Sequence, residues 1–300
     1  MTRTVSSFTV DVGGFNLHGD IHLPDPAIHN FPVPGIVMSH GFSATRRMGL
    51  PAFAAAFANA GFAVALYDHR CLGQSEGSPR QDIDPWLQTL DMRRVLDWIT
   101  SRPEIDADRL ALWGSSFSGG ESIVLASVDE RVRAVIANAP FAGTGGNADT
   151  SADQEQYERI AAVIRGEAPV PERIVIGPMP VVREPGSDGP AFLDQPESSE
   201  WFLGTGPGTG WENTFTAYFT ADPSFDPMVC AARIAPRALM MNVATEDRVA
   251  PTATALEAFE RAREPKSLSM FEGNHFSDYH GDIRDHSISV MIAFLESHLR

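Results

Sequence analysis

Short apolar runs recur along this chain, and most are followed by a segment with helical spacing. Pro32 to Ser39 (PVPGIVMS), Phe62 to Tyr67 (FAVALY), Arg109 to Trp113 (RLALW), Val132 to Asn138 (VRAVIAN), Arg237 to Val243 and Lys266 to Phe271 read as buried strands. Leu50 to Ala60, Pro85 to Ile99, Gly119 to Val128, Thr252 to Arg263 and Asp282 to Leu299 read as helices; in the first, Phe53 and Phe57 stand four apart on one face. Phe8 to Leu23 alternates apolar and polar around Gly13-Gly14, a hairpin signal. Strands alternating with helices specify an α/β fold, a mostly parallel sheet covered on both faces. The pattern breaks once. From about Ala142 to Pro227 the chain is rich in Gly, Pro, Ser and Thr, with one helical piece near Gln154 to Gly166. That is too long for an ordinary connection. It is expected to be an inserted cap or lid, 142–227, above one edge of a core formed by 1–141 and 228–300.

Charge narrows the partners. Of 300 residues, 23 are Lys or Arg and 39 Asp or Glu, a net charge of −16. Phosphate binding needs a basic face, so nucleic acid is excluded as the main partner. The acidity favours uncharged or cationic small molecules as ligands. A 43% hydrophobic content excludes wholesale disorder. No run approaches the roughly 18 apolar residues of a membrane span, and Met1 to Phe8 lacks the apolar core of a signal peptide. A soluble, cytoplasmic protein with no membrane partner is expected. Cys71 and Cys230 are too few and too far apart for a disulfide framework or a zinc site, and read as ordinary buried thiols.

The sharpest local feature is Leu112-Trp113-Gly114-Ser115-Ser116-Phe117-Ser118-Gly119-Gly120, between a predicted strand and a predicted helix. A nucleophile elbow needs small residues two before and two after the serine, because the strained turn presses them against neighbouring strands. Gly114 and Ser118 satisfy this around Ser116, the preferred nucleophile; Ser118, flanked by Ser116 and Gly120, is the rival. An elbow serine needs a base, and the base an orienting carboxylate, in the chain order Ser, acid, His. Asp247 follows the strand Arg237 to Val243 and precedes Pro251, with Glu246 as its alternative; His275 follows the strand Lys266 to Phe271. Oxyanion donors are expected from the backbone N–H of Phe117, at a helix N-terminus, and of Phe42, with Gly41 allowing close approach. Two glycine-rich stretches are set aside. Gly204 to Gly210 lacks the Lys-Ser/Thr ending of a phosphate loop and reads as flexible lid. Asp68-His69-Arg70 with Gly73 to Gly77 reads as a turn, Asp68 and Arg70 holding loops by ion pairs.

These residues resemble the α/β-hydrolase superfamily: His40-Gly41-Phe42, Asp68-His69-Arg70-Cys71-Leu72-Gly73-Gln74-Ser75, the elbow, Asp247 and His275. Glu197 to Thr214, Pro236 to Pro251 and Gly273 to Tyr279 are similar to the dienelactone-hydrolase-like and X-Pro-dipeptidyl-peptidase-like group, which includes polyketide transferase-like hydrolases. The resemblance implies an eight-stranded sheet and a serine that accepts an acyl group. The usual second motif has Gly where this chain has Cys71, so that loop is expected to be set differently. The function expected is a serine hydrolase of an ester, thioester or lactone, or of a C–C bond next to a carbonyl, without cofactor or metal. An acyltransferase or cyclase would use the same triad, and a binding protein without catalysis could use the same fold. Cap aromatics Trp201, Phe202, Trp211 and Phe215, with Tyr218 and Phe219, are expected to line a pocket for a largely apolar substrate. Exposed lid residues could serve a homodimer as readily as a ligand.

Overall fold

A computed structural model describes residues 3–143, 150–220 and 222–300. The chain opens with a hairpin, β1 (Thr4–Asp11) and β2 (Asn16–Leu23), which turns through Gly13 and Gly14, both at positive φ. β3 (Val33–Ser39) and β4 (Ala63–Tyr67) are buried at every residue, as strands must be when helices cover both faces. Between them α1 (Leu50–Asn59) buries Phe53, Ala54, Phe57 and Ala58 along one stripe. A short strand, β5 (Asp82–Ile83), precedes α2 (Pro85–Thr100). Asp84 caps α2 by accepting from the Trp86 and Leu87 amides, with Pro85 in the first turn. β6 (Ile105–Ser115), α3 (Phe117–Val128) and β7 (Val132–Asn138) follow.

The second half contains α4 (Thr150–Arg165), β8 (Ile174–Met179), α5 (Pro196–Thr205), β9 (Phe215–Phe219) and α6 (Pro227–Ala231). Then come β10 (Ala238–Ala244), α7 (Thr252–Arg261), β11 (Lys266–Phe271), a single 3₁₀ turn at Ser277–Tyr279, and α8 (Gly281–Leu299). Eight strands form one sheet in the order β1-β2-β4-β3-β6-β7-β10-β11. β1 and β2 are antiparallel; the six from β4 to β11 run parallel. Parallel strands bring all their C-termini to one edge. Ser39, Ser115, Ala244 and Phe271 therefore end side by side, and the loops that follow them share one space.

Apolar side chains fill both faces. One core gathers α2, α3, α4, α6 and α7; the other gathers α1, α8 and parts of the insertion such as Trp201, Phe202 and Phe215. The insertion thus divides. Tyr157, Ile160, Ala161 and Ile164 of α4 are buried in the first core, so this helix joins the body's helical layer instead of roofing the sheet edge. The remainder builds the roof: β8 and β9 form a small sheet with β5, and α5 lies beside it. Residues 144–149 and 221 of the expected cap lie outside the described residues. The Gly204 to Gly210 run, expected as flexible lid, closes α5: the Gly206 amide donates to the Phe202 carbonyl, and the Trp211 ring occupies the space a Gly206 side chain would need.

Candidate active site

Ser116 sits between β6 and α3 with φ 55° and ψ −116°, in the left-handed half of conformational space that a non-glycine residue enters only under constraint. The constraint is packing. A Cβ on Gly114 would come within 2.0 Å of the Ser118 carbonyl oxygen, and one on Gly120 within 2.4 Å of the Phe141 carbonyl oxygen. The turn can be this sharp only because both side chains are absent. It lifts the Ser116 hydroxyl above the sheet edge, 2.9 Å from His275 Nε2. His275 Nδ1 is 2.6 Å from Asp247 Oδ2. The other Asp247 oxygen accepts from the Val249 and Ala250 amides at 2.9 and 2.8 Å. Asp247 is thereby locked in place, and with Nδ1 donating to it, His275 presents the lone pair of Nε2 to the serine. The predicted serine, acid and histidine are thus brought together.

The alternatives fall elsewhere. Glu246 is exposed, its amide donating to Gly273. Ser118 is 1% exposed and points beneath the elbow, bonded to His69 and Glu121. Asp68 pairs with Arg46 and Arg70 with Asp91, as the loop-holding reading expects. Cys71 adopts φ 64°, a left-handed conformation that a glycine would take freely. Neither the Phe42 nor the Phe117 amide has a hydrogen-bond partner among the described residues. A Cβ on Gly41 would lie 2.9 Å from Ser116 Cβ, so the Phe42 loop approaches the serine as closely as backbone can.

Ser116 and His275 open into an apolar cavity of about 170 Å³. Trp201 and Phe202 line it, as does Phe219. Trp211 and Phe215 do not: Trp211 packs behind Phe202 at 5.5 Å, and Phe215 packs against Phe42 and Phe192 at 4.9 and 5.0 Å. They support the wall instead of forming it. Phe141, Phe192, Leu193 and Val249 also line it. Sequence reading missed them because they lie in aperiodic connections; only the run of apolar residues in an otherwise polar insertion could have flagged Phe192-Leu193. The roof is pinned to the site's loops. Trp201 stacks on Phe276 at 4.9 Å and 18°, and Glu197 pairs with Arg248 beside Asp247.

Comparison with known proteins agrees with this architecture. The family described as X-Pro dipeptidyl-peptidase (S15 family) matches residues 13–153. A thiohydrolase of Aspergillus aculeatus is 28% identical, covering 97% of this chain and 92% of its own. The α/β-hydrolase GrgF of Penicillium sp., described as a polyketide transferase, is 28% identical over 89% of this chain and 88% of its own. Its crystal structure matches with a TM-score of 0.74 at 27% identity, covering 100% of this chain and 99% of that one. A quorum-quenching protein of Acinetobacter baumannii is 31% identical over 88% of this chain and 86% of its own. By this kinship and by its eight-stranded, mostly parallel sheet, the chain belongs to the α/β-hydrolase superfamily, as an enzyme of the esterase and thioesterase type.

Proposed function

We propose that the protein is a serine hydrolase that cleaves an ester, thioester or lactone of a largely apolar small molecule through an acyl-enzyme on Ser116. The observation that carries this reading is the continuous path from Asp247 through His275 to Ser116, ending in the cavity. Ser116 Oγ attacks the carbonyl carbon while His275 Nε2 takes its proton, and Asp247 stabilises the imidazolium that forms. The carbonyl π electrons move onto oxygen, where the Phe42 and Phe117 amides meet the charge. The C–O or C–S bond then breaks, His275 protonates the leaving group, and water repeats the sequence on the acyl-enzyme. Apart from these groups the lining is aliphatic and aromatic, which suits an acyl chain and rejects a charged one. The relatives' descriptions as thiohydrolase and polyketide transferase support a thioester-linked, polyketide-like acyl group.

Transfer to an alcohol, an amine or the substrate's own hydroxyl is a second reading. The scarcity of polar lining groups favours it, because little in the cavity would hold a water in competition with an acceptor. The experiment is intact-mass analysis after incubation with a panel of esters and thioesters, with and without acceptors. An acyl adduct on Ser116, lost in Ser116→Ala with at least a ~10⁴-fold fall in kcat, is the expected result. Persistent turnover by Ser116→Ala refutes the assignment. Ser118→Ala must still form the adduct. Acyl product appearing on the added acceptor selects the transferase reading.

A further inference from the structure

Beneath the elbow, away from the cavity, lies a second serine–histidine–carboxylate trio. Ser118 Oγ is 2.7 Å from His69 Nε2 and 2.8 Å from Glu121 Oε2, and it also meets the His40 carbonyl oxygen. All four residues are buried to 1% exposure or less. This is no second triad. Glu121 approaches His69 at Nε2, the nitrogen that already faces Ser118, while Nδ1 has no partner among the described residues. None of Ser118, His69 and Glu121 lines the cavity.

Counting protons assigns its state. A hydroxyl donates once and accepts twice. The His40 carbonyl can only accept, so it takes the Ser118 proton. The two remaining contacts must then be donations to Ser118, one from His69 Nε2–H and one from a protonated Glu121. His40 continues the path. Its Nε2 accepts the His69 amide at 3.1 Å, so its proton is on Nδ1 and is donated to the Gly41 carbonyl at 2.9 Å. That carbonyl belongs to the same peptide plane as the Phe42 N–H. Orienting one edge of the plane aims the other.

We propose that Glu121 is a positioning residue: as a neutral acid it completes the hydrogen bonding of Ser118, which holds the His40 backbone and, through the His40–Gly41 bond, aims the Phe42 amide, and loss of its proton ends activity on the alkaline side. The proposal rests on the reading of the Phe42 amide as an oxyanion donor. The surroundings agree with it. His69 approaches Glu121 from the loop after β4, Tyr67 at the end of β4 interacts with it, and Asp91 of α2 and Asp84 at the cap of α2 add negative charge; Arg70 and His40 adjoin His69. The cation among them, Arg70, is engaged by Asp91. Burial, reinforced by Asp91 and Asp84, pushes the Glu121 carboxyl up to about 8, and burial lowers His69 well below its ordinary value. Among the described residues Glu121 Oε1 has no partner, a deficit far costlier for a carboxylate than for an acid.

The test compares wild type with Glu121→Gln and Glu121→Ala in ester hydrolysis across pH, with thermal unfolding alongside. Wild type should lose kcat in a limb near pH 8. Glu121→Gln still donates to Ser118 and cannot ionise; it should keep kcat at neutral pH within about threefold and hold its plateau well past that limb. Glu121→Ala should lose roughly tenfold in kcat with KM little changed. A wild-type limb that survives in Glu121→Gln overturns the proposal, as do equal losses in Gln and Ala; if Ala does not fold, the Gln profile decides. Infrared difference spectra of the resting protein should show a buried protonated carboxyl that Glu121→Gln removes, and its absence overturns the proton assignment without recourse to activity. Turnover that survives Ser116→Ala instead refutes the hydrolase reading, and the positioning role with it, while the infrared band still judges the proton.

Discussion

Gly114 carries the geometry of the elbow more heavily than its size suggests. Its missing side chain is the space occupied by the Ser118 carbonyl, and backbone cannot retreat as a flexible side chain can. Gly114→Ala should therefore destabilise by at least about 1–3 kcal/mol, read as a lowered denaturant midpoint, and should also reduce labelling of Ser116 by a fluorophosphonate. Asp278 behaves differently. It lies fully buried behind the His275 loop, 3.4 Å from Asn242 Nδ2, which also bonds Asn138 and Ser287. Burial raises its carboxyl to about 6 from an ordinary 3.8. A raised folded value means the native state holds a proton that the unfolded chain has released. Stability is then lost as pH rises from 3.8 to about 6, and remains lower above that range. Asp278→Asn removes this loss. Urea unfolding should find the variant more stable than wild type at pH 8, by at most about 3 kcal/mol, with the gap closing in acid below the ordinary carboxylate range.

At the level of elements, α5 joins roof and machinery. Its Trp201 ring lies against Phe276, next to His275, and is 6% exposed. Its Glu197 reaches Arg248, whose side chain is 68% exposed. These contacts should differ sharply in weight. Trp201→Ala should cost about 3–5 kcal/mol and lower kcat, because the His275 loop loses the surface it packs on. Glu197→Gln weakens a pair whose Arg248 end stays in solvent, and should cost no more than about 1 kcal/mol. Thermal unfolding with ester kinetics on both variants checks the contrast. The sequence foretold neither contact. Residues 197–214 carry no periodicity strong enough to announce a helix, and what α5 rests on belongs to segments distant in the chain. The strands and helices of the body were legible because each repeats its burial pattern over several residues. β5, with its two residues, offers no pattern to read.

For the molecule as a whole, the net charge of −16 surrounds an apolar cavity with a negative field. KM for a neutral ester should hardly change with ionic strength. KM for an analogue bearing a carboxylate should fall as salt rises from low to about 0.15 M, because screening removes the repulsion on approach. The sequence by itself determined the alternation that makes a parallel sheet, and marked Ser116, Asp247 and His275 as side chains that should meet, as they do. Each sits where a strand ends, and parallel strands must end together, so local signals sufficed to predict a shared site. Only tertiary structure decided that Phe192 and Leu193 join the wall while Trp211 and Phe215 support it, that α4 belongs to the body, and that Glu121 lies beneath the elbow beside Ser118. Those outcomes depend on which distant surfaces meet. A glutamate on a helix buried all round reads the same along the chain whether it faces a partner or none, and folding alone supplies the hydroxyl and carbonyl that give it one.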